Sequence, residues 1–376
     1  MSDFFEKLLC GFVRIITCDN TFGLEDKSAP SPYPHWPAFE QKCRKAGLGT
    51  AAIAAFKYNY EKLASGADLM IPEATISPVS SLPDYNSLTA EDPSLLGKCV
   101  MLKLNGGLGT GMGLEKAKSL LKLKGDDTFL DFIAKQVLHM RSAFGVPLAF
   151  MLMNSFSTSD DTLAALKKYA SLATPGLGLE FQQNKAPKVD ASDLSPVAWP
   201  ANPGHEWCPP GHGDLYPAML GSGTLDKLLA KGFKYMFVSN SDNLGATMDL
   251  KLLTWFAKSG APFAMECCER TEADKKGGHL AKRFSKLLLR ESAQCPEADE
   301  KKFQDIKRHK FFNTNNLWVK CVHGIPTRAP YLARSLASLA LPLQTAKGRA
   351  RSNPILAVCR RSRRPSTSTV GCSRCQ

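Results

Sequence analysis

Short apolar runs of strand length alternate with helical patterns through the middle of the chain. The runs lie at residues 98–105 (KCVMLKLN), 147–153 (PLAFMLM), 234–239 (KYMFVS), 262–267 (PFAMEC) and 286–290 (KLLLR). Helical patterns such as TLDKLLAKGF and DLKLLTWFAK lie between several of them. Continuous apolar runs are typical of strands that are buried on both faces, and intervening helices indicate crossover connections. The pattern predicts an α/β fold with a doubly wound, mostly parallel sheet.

The remaining segments divide the chain into four parts. Prolines in SAPSPYPHWP bar a regular helix, so we assign residues 1–37 to an extension and linker. Apolar residues recur at helical spacing after residue 38, which predicts a helical region at residues 38–97 that begins with a pair of helices. Residues 98–320 form the α/β domain, and residues 321–376 form a basic tail.

Charge is distributed unevenly along the chain. The formal net charge is +13, but the tail has ten Lys and Arg and no Asp or Glu, so the body is close to neutral. Two explanations of the tail remain open, a natural disordered segment or an out-of-frame translation, and the abrupt change after Val319 favours the second. RRSRRP resembles a nucleic-acid patch, and Cys372 and Cys375 form a single CxxC without the second pair that structural zinc needs. We expect no nucleic-acid partner, since a basic run outside the globular pattern is usually solvated chain.

Compartment and membrane association are inferred from cysteine spacing and hydropathy. The 12 cysteines show no disulfide framework, which favours a reducing compartment. Glu6, Lys7 and Arg14 interrupt the apolar N-terminal stretch, which argues against a signal peptide. No segment approaches the roughly 20 apolar residues that span a bilayer. We expect a cytoplasmic protein without a membrane partner.

A glycine-dense loop follows the first predicted strand in LNGGLGTGMGLEKAKS, residues 104–119. Without Cβ atoms, successive backbone N–H groups can approach phosphates closely. The GLEKAKSLLKL segment is predicted to be helical, and Lys118 within it can add a positive charge. The spacing fits neither the P-loop nor the dinucleotide-binding GxGxxG pattern. The loop therefore predicts a site for a nucleoside triphosphate.

Several further blocks, together with this loop, resemble the eukaryotic-type UDP-glucose pyrophosphorylase family. They occur in the family's order and begin at Phe150 (FMLMNSF), Gln183 (QNKAPK), Pro209 (PPGHGDLY), Phe237 (FVSNSDNLGAT), Asp274 (DKKGGHL), Leu287 (LLLRESAQCP) and Phe311 (FFNTNNLW). The resemblance implies a Rossmann-like, GT-A-like nucleotidyltransferase core. It also implies that UTP and glucose 1-phosphate react to give UDP-glucose and pyrophosphate.

Physical chemistry and the resemblance together suggest roles for individual residues. FVSNSDNLGAT brings Asp242 to the end of a buried strand, where a lone carboxylate and substrate phosphates can hold Mg²⁺. The resemblance implies that Lys118 and Asp242 are catalytic. It implies a nucleotide site of Leu104, Asn105, Gly106, Gly107, Gln183, Gly211, His212 and Asn240, and a sugar site of Gly278, Glu291, Asn313 and Asn315.

Two features of the family are not recognisable in the sequence. One is a lysine in a PVKT-like element beyond FFNTNNLW, and the other is a C-terminal β-helical domain. Because a missing charge at the transition state costs about a hundred-fold or more in rate, we expect impaired turnover. A non-catalytic uridine-nucleotide-binding or regulatory protein stays open as the alternative. The sequence does not indicate the oligomeric state.

Overall fold

The computed structural model describes residues 33–108, 116–284 and 286–321, and the backbone of residues 356–360. Its α-helices are α1 (Trp36–Lys45), α2 (Thr50–Ala64), α3 (Phe129–Phe144), α4 (Ser159–Leu166), α5 (Leu215–Gly221), α6 (Thr224–Ala230), α7 (Leu250–Ser259) and α8 (Glu300–Phe303). Its strands are β1 (Ser77–Pro78), β2 (Cys99–Asn105), β3 (Lys122–Lys124), β4 (Asp127–Thr128), β5 (Ala149–Asn154), β6 (Glu180–Gln182), β7 (Ala186–Pro187), β8 (Trp207–Cys208), β9 (Tyr235–Asn240), β10 (Phe263–Glu269), β11 (His279–Arg283), β12 (Lys286–Arg290), β13 (Phe311–Lys320) and β14 (Leu356–Arg360).

A ten-stranded mixed sheet forms the centre of the molecule. Seven of its strands follow the order β1-β11-β13-β9-β2-β5-β6, while β12 pairs with β11, β10 pairs with β13, and β14 pairs with β10. Strands β9, β2, β5 and β6 run parallel to one another. Strand β13 is antiparallel to β9 and β10, and β11 is antiparallel to β12. The predicted α/β fold is confirmed, but "mostly parallel" holds for only one half of the sheet. Strands joined by a short turn, such as β11 and β12, pair in the antiparallel sense.

Helices cover both faces of the parallel half, as the doubly wound prediction requires. Alternate side chains of a strand point to opposite faces, so Met101 packs on one side of the sheet with α3 and α7. Val100 and Leu102 pack on the other side with α5 and α6. These two apolar layers hold the parallel strands in register and fix where their carboxyl ends lie.

The five predicted strands and the helices of TLDKLLAKGF and DLKLLTWFAK are all present, with ends shifted by a few residues. The helix predicted for GLEKAKSLLKL is wrong in its described part. Lys118–Leu120 form a single 3-10 turn, and Lys122–Lys124 form β3. A two-stranded hairpin with β4 replaces the helix, with Gly125 at φ 59° in the turn, and Leu123 is exposed instead of packing on the core.

The predicted pair of N-terminal helices is confirmed as α1 and α2, which pack around Phe39 and Tyr60. Helix α1 begins at Trp36, within the segment that we assigned to the linker. Pro37 is tolerated there because the first turn of a helix has no intrahelical use for its N–H groups. Beyond α2, the region that ends at residue 97 contains only 3-10 turns and the short strand β1.

Several predicted features lie outside the described residues. They are most of the extension and linker, residues 109–115 of the glycine loop, and most of the basic tail. In the tail the structure describes Cys321 and strand β14, which pairs in parallel with β10. The two explanations of the tail, a natural segment or an out-of-frame translation, both stay predictions. Among the described residues, no helix combines the length and apolar character that crossing a bilayer requires.

Candidate functional site

Polar residues lie at the carboxyl ends of four neighbouring parallel strands. Asn105 ends β2, Asn154 ends β5, Asn240 ends β9, and Gln183 directly follows β6. Because the strands are parallel and adjacent, these residues share one edge of the sheet. The carboxyl edge of an open α/β sheet is where such folds bind ligands.

Buried hydrogen bonds fix the start of the glycine loop. Asn105 Nδ2 donates to Asn154 Oδ1 at 2.7 Å and to Thr162 Oγ1 at 3.0 Å. The hydroxyl of Ser241 donates to Asn105 Oδ1 at 2.9 Å, and the Ser241 amide donates to the carbonyl of Leu104 at 3.0 Å. The side chain of Asn105 is therefore structural in this network.

Gly106 lies against the side chain of Gln183. A Cβ atom at position 106 would be 1.9 Å from Gln183 Nε2, so only glycine fits with Gln183 in this position. No atom would come within 4 Å of a Cβ at Gly107, which borders open space. Gln183 Oε1 is buried and has no hydrogen-bond partner in the described part of the chain. A buried acceptor without a partner is costly, which makes it a candidate ligand contact.

Lys118 and Asp242 meet beside the loop. Lys118 Nζ lies 2.6 Å from Asp242 Oδ2, with 43% and 30% of the two side chains exposed. The amide of Lys118 donates to the carbonyl of Gly107 at 3.1 Å, which holds the lysine close to the glycine loop. A fixed cation and a carboxylate at a sheet edge suit a ligand that brings phosphates and a divalent cation.

Magnesium would use Asp242 as its protein ligand. Within the described ranges, no group of three or more His, Cys, Asp or Glu could hold a metal ion. Mg²⁺ usually needs only one or two carboxylates together with substrate phosphates and water. The half-exposed carboxylate of Asp242 fits that demand.

Asn315 joins His212 to Asn240. Its Nδ2 donates to Asn240 Oδ1 at 2.8 Å and lies 3.0 Å from His212 Nδ1. Nδ1 therefore accepts, and a neutral His212 has its proton on Nε2. Desolvation lowers the pKa of His212 against an opposing effect of Asp242, so the ring is neutral at pH 7. Gly211 precedes it at φ 90°, a conformation that suits glycine.

Three of the four residues expected at the sugar also lie together. A Cβ atom at Gly278 would be 2.5 Å from Glu291 Oε2, so the carboxylate lies directly on the glycine. The amide of Asn313 donates to the carbonyl of Gly278 at 3.2 Å. Burial raises the pKa of Glu291, while a hydrogen bond with the Asn313 side chain acts in the opposite direction. Asn313 Oδ1 accepts the amide of Asn315 at 2.8 Å, which connects this group to the His212 side.

Sequence reasoning missed two buried charged residues next to the site. Asp214 accepts hydrogen bonds from the amide of Asn184 at 2.5 Å and from its side chain, and burial raises the pKa of Asp214 to about 6. Lys103 Nζ donates to Ser239 Oγ and to the carbonyl of Ala246, each at 2.7 Å. Burial lowers the pKa of Lys103 to about 7. The sequence does carry a signal for Lys103, because a lysine inside an apolar strand run is unusual.

The comparison with known proteins points in one direction. A family model described as UTP--glucose-1-phosphate uridylyltransferase matches residues 53–323. The UTP--glucose-1-phosphate uridylyltransferase of Solanum tuberosum is 43% identical over 254 residues, which are 67% of this chain and 51% of that protein. The chain therefore spans about half the length of the curated relatives that it matches.

Solved structures share the fold. A mutant of UDP-glucose pyrophosphorylase from Leishmania major, in complex with UDP-glucose, is 45% identical with a TM-score of 0.73, covering 82% of this chain and 66% of that one. A UDP-glucose phosphorylase structure from Trypanosoma brucei has the same identity and TM-score, with 81% and 65% coverage. The matched region reaches from α2 past the end of β13 and includes every site residue described above, so the chain belongs to the UTP--glucose-1-phosphate uridylyltransferase family.

Proposed function

We propose that the chain joins UTP and glucose 1-phosphate into UDP-glucose and releases pyrophosphate. The observation that supports this most strongly is a continuous line of hydrogen bonds along the sheet edge, one of which is donated by the backbone amide of Asn315. It runs from Asn240 through Asn315 to Asn313 and Glu291. A nucleotide and a sugar phosphate that react with each other need adjacent sites, and this line spans both groups of residues.

The uridine end would lie against Gly106 and Gln183. Uracil presents a donor between two acceptors, so a partner needs both an acceptor and donors. Gln183 Oε1, which has no hydrogen-bond partner among the described residues, suits the uracil donor. Backbone amides near Gly211 and in the glycine loop suit the acceptors and the phosphates.

The reaction is an in-line displacement at the α-phosphorus of UTP. A phosphate oxygen of glucose 1-phosphate forms the new P–O bond, the bond to the β-phosphate oxygen breaks, and pyrophosphate leaves with the electron pair. The attacking oxygen is already anionic, so no side chain has to remove a proton. The protein has to position two polyanions and offset their repulsion. Lys118 supplies a positive charge, and neutral His212 supplies an N–H donor at Nε2.

Asp242 would hold the Mg²⁺ ion. When bound, the ion offsets the charge of the phosphates and of the leaving pyrophosphate. Lys118 pairs with Asp242. From this position its ammonium group would contact a phosphate of the bound substrate.

The direct test is an assay of the purified chain with UTP, glucose 1-phosphate and MgCl₂. We expect pyrophosphate release that requires both substrates, with UDP-glucose as the second product. Binding of UDP-glucose without its synthesis would favour a non-catalytic nucleotide-binding protein. If the chain neither binds UDP-glucose nor synthesises it, the proposal is contradicted. The expected impairment of turnover stays a prediction.

The cytoplasm is the proposed location. Cys43 and Cys99 are buried free thiols, and Cys208 is a half-buried one. Thiols persist in reducing compartments and tend to pair in oxidising ones. Fractionation of cells that express the tagged chain tests this assignment.

A further inference from the structure

A cluster of charged side chains lies buried beneath the turn that contains Glu291. Arg290 Nη1 donates to Glu73 Oε2 at 2.7 Å, and Arg308 Nε donates to Glu73 Oε1 at 2.6 Å. The side chains of Arg290 and Glu73 are 0% and 3% exposed. Breaking a buried ion pair on one side leaves an uncompensated charge, so the conformation of Arg290 depends on the Glu73 carboxylate.

Two more residues contact Glu73, one at its carboxylate and one at its backbone amide. His309 Nε2 lies 3.0 Å from Glu73 Oε1, and Asp299 Oδ2 accepts the amide of Glu73 at 2.6 Å. Burial acts to raise the pKa of Glu73, but the hydrogen bonds of Arg308 and His309 outweigh it and lower the pKa. Glu73 is therefore ionised, and it joins three segments that are distant in sequence.

The cluster holds the turn that positions Glu291. Arg290 ends β12, and Glu291 follows it directly. At the other end of the turn, the amide of Ile71 donates to the carbonyl of Gln294 at 2.7 Å. Gln294 Oε1 in turn accepts the amide of Glu291 at 3.0 Å. Residues 71–73 thus hold both ends of the turn.

We propose that Glu73 is a positioning residue for sugar recognition, which it serves by holding Arg290 so that the Glu291 carboxylate stays against Gly278. This inference rests on the proposed function, because it assigns Glu291 to the hexose of the ligand. Glu73 touches no ligand itself. A carboxylate that selects sugar hydroxyls must be held to within about 0.5 Å, and a buried ionic cluster provides that rigidity.

Isothermal titration of the full chain with UDP-glucose and with UDP tests this assignment. UDP lacks the hexose, so its affinity reports on the uridine and phosphate contacts alone. We expect Glu73→Gln to weaken UDP-glucose binding by about tenfold and to change UDP binding by less than about twofold. Glu206→Gln is the matched control, since it removes a carboxylate that pairs with Lys42 away from the site. It should change neither affinity.

The outcomes separate the two proposals. Equal losses for both ligands, or no loss for either, would overturn the role of Glu73 while leaving the proposed function intact. If the wild-type chain binds neither ligand, the proposed function fails and this inference fails with it. Should Glu73→Gln not fold, Glu73→Asp keeps the charge but shortens the reach to Arg290. It should show the same selective loss for UDP-glucose, and unchanged selectivity in this variant would overturn the inference.

Discussion

Lys118 Nζ lies 2.6 Å from Asp242 Oδ2, at the edge where the parallel strands end. The two residues are far apart in sequence, and from the sequence we assigned Lys118 to the phosphates and Asp242 to Mg²⁺. Their contact shows that Lys118, whose amide is bonded to Gly107 of the glycine loop, lies next to the residues that follow β9. Each of these two charges neutralises the other.

The first prediction concerns Lys118. Lys118→Met should lower kcat/KM for UDP-glucose formation by about a hundred-fold, because it removes a preorganised charge from the transition state. Lys122→Met is the control, since it breaks a comparable ion pair with Asp126 on the exposed β3 hairpin. It should leave kcat/KM within about twofold. Equal losses in the two variants would show that Lys118 has no special role.

Gly106 provides a test of the uridine contact. In Gly106→Ala the new Cβ atom would lie 1.9 Å from Gln183 Nε2 and would displace that side chain. UTP affinity, measured by titration, should fall by about tenfold, as expected for the loss of a well-formed hydrogen bond. Gly49→Ala introduces the same methyl group into open space. An unchanged affinity in Gly106→Ala would argue against Gln183 as a uracil contact.

Asp214 should make stability depend on pH. Burial raises the pKa of Asp214 from 3.8 to about 6, so the folded state retains a proton that the unfolded state releases. The associated stability is fully present below pH about 4 and is lost as pH rises through about 6. Relative to Asp214→Asn, the wild type should lose on the order of 1–3 kcal/mol of unfolding free energy across that window. Urea unfolding of both proteins at each end of the window measures this loss. An equal change of unfolding free energy with pH in the wild type and in Asp214→Asn would refute the effect.

Lys103 predicts the opposite trend in a higher range. Burial lowers the pKa of Lys103 from 10.5 to about 7, so the unfolded state binds the extra proton between these values. Wild-type stability should therefore rise with pH between 7 and 9, by on the order of 1–2 kcal/mol relative to Lys103→Met. The exposed Lys124 offers a control, because the stability of Lys124→Met should still rise with pH as in the wild type. If Lys103→Met also shows the rise in stability, the buried Lys103 amine is not its source.

The parallel half of the sheet could be predicted from sequence because β2, β5 and β9 are continuous apolar runs. Strand β13 could not, since FFNTNNLWVK has polar residues at its centre and Asn315 adopts φ 57°. Its pairing with β10 contains a register shift between Glu266 and Cys267. Polar side chains in this strand, such as Asn313 and Asn315, belong to the candidate site. The polar residues that made the strand hard to predict are therefore the ones that suit it for binding.

The candidate site was predictable where residue type and loop position agree, as for the glycine loop and Asp242. The supporting contacts were not. That Glu73 reaches Arg290, or that Asp214 holds Asn184, depends on chain segments that only the tertiary fold brings together. The error at GLEKAKSLLKL has a similar origin, because helical periodicity does not reveal that Leu123 faces solvent on a hairpin.

A crystal structure of the chain with UDP-glucose and Mg²⁺ tests the central claim most directly. The account predicts uracil against Gly106 and Gln183, the phosphates beside Lys118 and Asp242, and the hexose within reach of Glu291 and Asn313. A nucleotide bound elsewhere, or bound at this edge with its hexose directed away from Glu291, would contradict it.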